Sequence, residues 1–144
     1  MKPPTLFSTA EAAEEAFYDA MRRGDLAAMM ALWADDEDVV CIHPGGGRLV
    51  GLQAIRAGFE SIFATGGIDI RPTRARVHSG ASMEIRTLVE QILVPERSAT
   101  RIIEVASTNV YVKVSRGWRI VLHHAGPGIE ASGSEPRAPS AVLH

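Results

Sequence analysis

Residues 24–63, GDLAAMMALWADDEDVVCIHPGGGRLVGLQAIRAGFESIF, contain the pattern that decides the fold. An apolar helical segment at residues 26–33 is followed by an acidic break and by a β-branched run at residues 39–43, which predicts a short strand. The Pro-Gly-Gly-Gly run after it predicts a turn, and a second apolar stripe predicts a helix over residues 52–64. We expect this helix–strand–turn–helix unit to form one wall and the mouth of a pocket, with His43 at the strand end.

The segments on either side of this unit predict an α+β domain. Upstream, an apolar stripe predicts a helix over residues 9–23, and Gly24 predicts its end. Helices followed by strands with short turns predict a cone-shaped, curved antiparallel sheet with three helices over its concave face. The predicted long strands cover residues 68–79, 83–94, 100–114 and 118–124. The domain is expected to span residues 1–126, and residues 127–144, rich in Gly, Pro and Ser, are expected to form a tail.

Composition argues against several classes of function. A formal net charge of -2 and a pI near 6.2, without a basic stripe, give no case for a nucleic-acid partner. No apolar run approaches the roughly 18 residues of a membrane span, and nothing near the N-terminus resembles a signal peptide. A cytoplasmic protein without a membrane partner is therefore expected. The single cysteine, Cys41, rules out an intramolecular disulfide.

Five short motifs resemble the SnoaL-like branch of the nuclear transport factor 2-like superfamily. They are GDL at residues 24–26, ALWADD at 31–36, HPGG at 43–46, GLQAIR at 51–56 and GWRIVLHH at 117–124. The resemblance covers nearly all of the predicted domain. It implies a fold similar to that of ketosteroid isomerases and polyketide cyclases, commonly a homodimer packed through the sheet. No cofactor is expected.

The same resemblance places two residues at positions used by ketosteroid isomerases. His43 falls near the strand end where those enzymes have a catalytic aspartate, and Phe17 falls where they have a tyrosine that donates to the substrate oxyanion. Phenylalanine cannot donate a hydrogen bond, so that oxyanion hole is not reproduced at Phe17. Steroid isomerisation is therefore not expected of this chain.

Five polar residues are candidates for catalysis or ligand contact. His43 is either a general acid or base or a structural residue that satisfies the backbone of the turn. His123 and His124 are adjacent on one strand, so they point to opposite faces and only one can enter the cavity. Asn109 alternates with valines and either lines the cavity or lies at a dimer interface. The same two alternatives hold for Tyr111, which in the cavity would assist His43 in catalysis.

The apolar candidates are expected to pack in the core and to line a cavity for a small apolar or aromatic molecule. They are Phe17, Met21, Trp33, Phe59 and Phe63. None of the recognised zinc-ligand spacings is present, so no metal site is expected.

Three functions remain open at this point. The first is a small-molecule-binding protein with an apolar cavity and no turnover. The second is a cofactor-free isomerase, cyclase or dehydratase, which would need polar groups that converge on an apolar void, one of them with a shifted pKa. The third is a dimerisation or assembly domain, which a filled interior and a wide apolar outer sheet face would favour.

Overall fold

The computed structural model describes residues 7–127, which form three α-helices, one 3-10 turn and six strands. The helical elements are α1 (Ala10–Arg23), α2 (Leu26–Met30), α3 (Leu52–Ile62) and the 3-10 turn Phe63–Thr65. The strands are β1 (Val40–Ile42), β2 (Arg48–Val50), β3 (Ile70–Ser79), β4 (Met83–Pro95), β5 (Thr100–Val114) and β6 (Gly117–Pro127). The predicted α+β fold is confirmed. The predicted tail beyond Pro127 lies outside the described residues.

Helix α1 begins and ends where the sequence predicts. The side chain of Thr9 accepts a hydrogen bond from the backbone N–H of Ala12, at 3.0 Å, and so caps the N-terminus. Gly24 ends the helix with φ of 62°, and its N–H reaches the carbonyls of the last turn. A Cβ at Gly24 would lie 2.9 Å from the backbone nitrogen of Gly67, so only glycine fits this position.

Helix α2 is shorter than predicted, because its last residues join the sheet. The predicted helix over residues 26–33 ends at Met30. Beyond it, the N–H of Ile120 donates to the carbonyl of Leu32 at 2.9 Å, and the N–H of Ala34 donates to the carbonyl of Ile120 at 3.0 Å. These bonds to β6 replace the bonds that a continued helix would have made, so tertiary pairing overrides the local helix propensity.

The sheet is mixed rather than purely antiparallel. Its strand order is β2-β1-β6-β5-β4-β3. Strand β1 pairs in parallel with β6, with Cys41 opposite His123, whereas every other neighbouring pair is antiparallel. Strand β2 was not predicted; it pairs with β1 across the glycine turn. This arrangement places the end of β1, and with it His43, beside the last strand.

Two irregularities of register bend the long strands. In β3 the register shifts between Thr73 and Arg76, and Arg74 between them has φ of 54°. In β5 the register against β6 shifts between Val110 and Tyr111. Bulges of this kind bend a strand and increase its twist, which lets the sheet curve around the helices.

Directly paired residues share a face of the sheet, so the register defines two rows across it. The inner row faces α1 and α3 and consists of Leu49, Cys41, His123, Asn109 and Arg86. The next row points outward and is apolar across five strands, and its position on the sixth strand, β3, is His78. We call it the apolar row, and it consists of Val50, Val40, Leu122, Val110 and Ile85.

The core lies between the inner sheet face and the helices. Its largest apolar side chains come from α1, α2 and α3 and from the inner face of β5 and β6. Edge-to-face contacts join Phe17 to Tyr18 and to Phe59, with ring centroids 5.0 and 6.3 Å apart. Among the helices of residues 7–127, none is long and apolar enough to cross a membrane.

Candidate functional site

Two polar side chains of α1 enter the core beside its apolar stripe. Glu14 and Tyr18 are four residues apart and therefore lie on one helix face, which packs against β4 and β5. Tyr18 is fully buried, and only 5% of Glu14 is exposed. Neither residue was singled out in the sequence. The signal in the sequence was their four-residue spacing beside Phe17 and Met21. When a helix face with both apolar and hydrogen-bonding residues is buried, its hydrogen-bonding groups need partners.

Three groups of the sheet hold the carboxylate of Glu14. The Nε of Arg86 donates to Oε2 at 2.8 Å, and the Tyr111 hydroxyl and the Asn109 Nδ2 donate to Oε1 at 2.9 and 3.1 Å. The Nη1 of Arg86 donates at 2.8 Å to Glu84 as well. Burial alone would lower the pKa of Arg86, but its bonds to the two glutamates outweigh burial and raise that pKa. The buried ion pair is therefore held by four hydrogen bonds.

Asn109 is the hub of the buried polar groups. Its Nδ2 donates to the Tyr18 hydroxyl at 3.2 Å as well as to Glu14, and its Oδ1 lies 2.6 Å from Nδ1 of His123. Because Oδ1 can only accept, Nδ1 of His123 carries a proton. The amide thus links α1 to both β5 and β6. The set that it joins is hereafter the buried network and consists of Glu14, Tyr18, Arg86, Glu90, Asn109, Tyr111 and His123.

Glu90 is a buried carboxyl group beside a buried phenol. The Tyr18 hydroxyl donates to its Oε2 at 2.6 Å. Burial raises the pKa of Glu90 above its ordinary value; the hydrogen bonds with Tyr18 and Ser107 only partly offset this effect, and the charge of Glu14 adds to it. Burial, reinforced by Glu90, also raises the pKa of Tyr18 well above 10. Both groups are therefore driven toward their neutral, protonated forms.

His123 is a neutral imidazole in the centre of the molecule. Burial, with smaller contributions from the charges of His43 and His124, lowers the pKa of His123 to about 3. Since its proton is on Nδ1, Nε2 presents a lone pair, and that atom lies 4.0 Å from Oε2 of Glu90. At this distance the two side chains are close but do not share a hydrogen bond.

His43 lies at the rim of this region. Its ring is half-buried and meets Phe59 edge to face, with centroids 4.9 Å apart, and it lies 6.2 Å from the ring of His123. Its Nε2 is 3.5 Å from the sulfur of Cys41. Burial lowers the pKa of His43, so the imidazole is neutral at neutral pH. Burial raises the pKa of Cys41 to about 12, so the thiol stays protonated and unreactive.

The structure brings most of the predicted site residues together. Asn109, Tyr111 and His123 lie on the inner face, whereas His124 is exposed on the outer face. Which of the two adjacent histidines points inward is thus decided by register, with His123 opposite both Cys41 and Asn109. The apolar candidates Phe17, Met21, Trp33 and Phe59 are buried in the core, and Phe63 is half-buried at its edge.

The polar groups of the buried network mainly satisfy one another. Tyr18, Asn109 and Tyr111 have no accessible surface, so no void large enough for a water molecule adjoins them. A ligand that reached these groups would have to displace one of their present partners. Among residues 7–127, no three His, Cys, Asp or Glu side chains come together in a way that could hold a metal ion.

A protein-family model described as a SnoaL-like domain matches residues 10–130 of the sequence. The chain belongs to the SnoaL-like family. It therefore has the nuclear transport factor 2-like fold, as the motifs in its sequence predicted. No curated protein matches the sequence significantly.

Two solved structures resemble this SnoaL-like chain in sequence as well as in fold. One, from Thiobacillus denitrificans, is described as a candidate calcium/calmodulin-dependent protein kinase type II association domain. It is 40% identical, with a TM-score of 0.78, over 89% of this chain and 100% of that one. The other, from Streptomyces avermitilis, is described as a candidate dehydratase of the NTF2-like family. It is 29% identical, with a TM-score of 0.73, over 83% of this chain and 94% of that one.

A third structure shares the fold alone. It is a ketosteroid isomerase-like protein from Erwinia carotovora atroseptica, 20% identical with a TM-score of 0.65, over 81% of this chain and 91% of that one. The relatives thus include differently described proteins on one fold. Function therefore has to be argued from the residues of this chain.

Proposed function

We propose that this chain is a self-associating domain and that two copies pack through the outer sheet face around the apolar row. The row crosses five neighbouring strands in register, and this continuity is the observation that carries the proposal. Its end members are well exposed, Val50 at 48% and Ile85 at 36%. The helices α1 and α3 pack on the opposite face and leave this one open within residues 7–127.

The size of the row suits a dimer interface. Strands lie about 4.8 Å apart, so five side chains in register span ~19 Å. Apolar surface removed from water contributes about 25 cal/mol per Å², and a stable interface buries about 800 Å² on each partner. Met83, which is 49% exposed, lies next to Ile85 on the same face and extends the apolar surface along β4.

Two further observations support self-association. The row flanking the apolar row carries hydrogen-bonding and charged groups, among them His124, Thr108 and Arg76, which suit the polar rim of an interface. The relative from Thiobacillus denitrificans, 40% identical to this chain, is described as a candidate association domain.

Sedimentation velocity tests this proposal. The wild-type chain should sediment with twice the 15.5 kDa of one copy. The substitution Val110→Asp places a charge inside the row and should give a monomer whose circular dichroism is unchanged. The matched control is Val77→Asp, because Val77 is 48% exposed but lies opposite Arg86 on the other face. A monomeric wild type, or a dimer that survives Val110→Asp, would refute the proposal.

We propose acid/base chemistry on a small apolar or aromatic carbonyl or hydroxyl compound as a second candidate function. The pairing of Tyr18 with the carboxyl of Glu90, whose pKa is raised, favours it. A tyrosine beside a protonated carboxylic acid is the donor pair that ketosteroid isomerases direct at an oxyanion. Tyr18 would take this role rather than Tyr111, whose hydroxyl is held by Glu14, and His43 would move the proton at the rim.

Binding at this place requires the apolar side chains of α1 and α3 to separate from the sheet. The compound's oxygen would take the acceptor position that Glu90 now has at the Tyr18 hydroxyl, and its body would lie against Phe17 and Phe59. The candidate dehydratase from Streptomyces avermitilis, 29% identical, is consistent with such chemistry. No cofactor takes part in this scheme.

A thermal-shift series with aromatic aldehydes and ketones tests the second function. A compound that binds the folded state should raise the melting temperature. His43→Ala should keep the fold and abolish this rise, and His78→Ala, an exposed histidine on β3, should preserve it. If no compound raises the melting temperature, or if His43→Ala responds as the wild type does, the acid/base proposal fails while self-association stands.

A further inference from the structure

The row beside the apolar row, on the outer sheet face, carries positive charge and no carboxylate. It crosses all six strands in register and consists of Arg48, Ile42, His124, Thr108, Thr87 and Arg76. We call it the donor row, because every member except Ile42 has a side chain that can donate a hydrogen bond. The two arginines end the row on the edge strands β2 and β3. Within residues 7–127, neither of them forms an ion pair.

An acidic loop lies on the other side of the apolar row. It consists of residues 35–38, Asp-Asp-Glu-Asp, and all four are exposed. Asp35 and Asp36 line one groove with Val50, the member of the apolar row on β2. They line a second groove with Val112, which lies two residues beyond the apolar row on β5, away from the donor row. The apolar row therefore separates a cationic side of the face from an acidic one.

The acidic loop keeps an excess of negative charge. Arg116 and Arg119 also line the second groove, so two positive charges lie near four carboxylates. The hydrogen bond that orders the loop is internal, with Oδ1 of Asp36 accepting from the N–H of Asp38 at 2.8 Å. Within residues 7–127, none of the four carboxylates belongs to an ion pair. The loop is thus suited to meet a cationic surface of another molecule.

The charges distinguish two ways of placing a second copy on this face. In a two-fold dimer of aligned sheets packed face to face, the axis lies in the plane between the sheets. If it runs along the strands, the donor row meets the donor row, and the end arginines Arg48 and Arg76 face each other. Like charges placed opposite each other disfavour that arrangement. If it runs along the apolar row, the apolar rows still meet, but each donor row meets the acidic side of the other copy.

We propose that the second copy binds with its two-fold axis along the apolar row, so that the acidic loop of each copy contacts Arg48 of the other. This inference rests on the proposed self-association and names the segments that orient it. The axis places equivalent strands over each other, so the loop beside β2 of one copy lies over β2 of the other, where Arg48 is. The contact occurs twice, because each copy supplies both a loop and an arginine.

An exchange of charges between the two segments tests the orientation. Arg48→Glu and Asp35→Arg should each raise the dissociation constant of the dimer at least about tenfold, because both contacts become repulsive. An equal mixture of the two variants should associate within about threefold of the wild type, since each contact in the mixed dimer pairs opposite charges. Sedimentation velocity over a concentration series measures all of these. Both substituted residues are exposed, and the circular dichroism of each variant should match the wild type.

Arg97→Glu is the matched control. Arg97 is an exposed arginine between β4 and β5, outside both segments, and its variant should associate as the wild type does. Two results would overturn this inference and leave self-association standing: a dimeric wild type with equal effects of Arg48→Glu and Arg97→Glu, or a mixture that associates no better than the single variants. A wild type that stays monomeric would refute self-association and this orientation together.

Discussion

The hydroxyl of Tyr18 on α1 lies 2.6 Å from Oε2 of Glu90 on β4, and neither side chain is exposed. This contact joins residues that are 72 positions apart in the chain. Through Asn109 it continues to His123 on one side and to Glu14 on the other. The helical layer is therefore attached to the sheet by specific polar contacts as well as by apolar packing, and the following predictions test them.

The two tyrosines should differ in their contribution to stability. Tyr18→Phe removes the hydroxyl that donates to the buried Glu90 carboxyl at 2.6 Å and should lower the free energy of unfolding by ~1–3 kcal/mol. Tyr111→Phe should cost only ~0.5–1.5 kcal/mol, because Glu14 keeps its bonds to Arg86 and Asn109. Urea unfolding of both variants measures the difference. Equal losses, or a larger loss for Tyr111→Phe, would contradict the account.

Loss of the buried ion pair should lower the free energy of unfolding far more than loss of an exposed one. Arg86→Met leaves the Glu14 carboxylate buried without its counter-charge and should lower the free energy of unfolding by ~3–5 kcal/mol. Glu14→Gln added to Arg86→Met should recover part of that loss, since it removes the uncompensated charge. Arg23→Met is the control: Arg23 pairs with Asp19 on the surface, and its loss should matter far less. Similar losses for both single variants would refute this prediction.

Glu90 should make the protein less stable as the pH rises. Its pKa is higher in the folded state than the ordinary value of about 4.3. The folded state therefore holds the extra proton above that value, and stability is lost as pH rises through the folded pKa. Glu90→Gln, which cannot ionise, should remove this decline and raise the free energy of unfolding at neutral pH. Urea unfolding from pH 4 to pH 8 measures it, and parallel profiles for variant and wild type would show that Glu90 does not titrate differently on folding.

Protonation of His123 should lower the stability of the folded protein at acid pH. Its folded pKa of about 3 is below the unfolded value of about 6.5, so the unfolded state binds the proton first as the pH falls. Its stabilising contribution is complete above pH ~6.5 and should fall by about 1.4 kcal/mol per pH unit below it, down to about pH 3. The difference between wild type and His123→Gln isolates this slope. A histidine proton resonance of His123 that titrates near neutral pH would contradict the prediction.

Local patterns predicted the helices, the long strands and the inward orientation of one of the two adjacent histidines. They could not predict the parallel pairing of β1 with β6, because that pairing joins Cys41 to a residue 82 positions later and depends on the complete sheet. Helix α2 ended early for the same reason, since bonds to Ile120 replaced helical bonds. Long-range pairing therefore determined the parallel contact of β1 and the end of α2, which the propensities of single segments could not predict.

The buried network shows a second limit of prediction from local sequence patterns. Glu14 and Glu90 look like ordinary surface glutamates in the sequence, and only the register of β4 against β5 places Glu90 inside. The resemblance to ketosteroid isomerases places their pocket tyrosine at Phe17, one residue before Tyr18. A one-residue step along a helix turns the side chain by about 100°. In this chain that step separates an apolar core residue from a hydrogen-bond donor.

The central claim is that a second copy covers the apolar row. Isotope-filtered nuclear Overhauser spectroscopy on an equal mixture of carbon-13-labelled and unlabelled chains tests it most directly, because it detects only contacts between copies. The account predicts intermolecular contacts at the methyl groups of Val110, Leu122 and Ile85. The absence of such contacts, or contacts confined to α1 and α3, would contradict it.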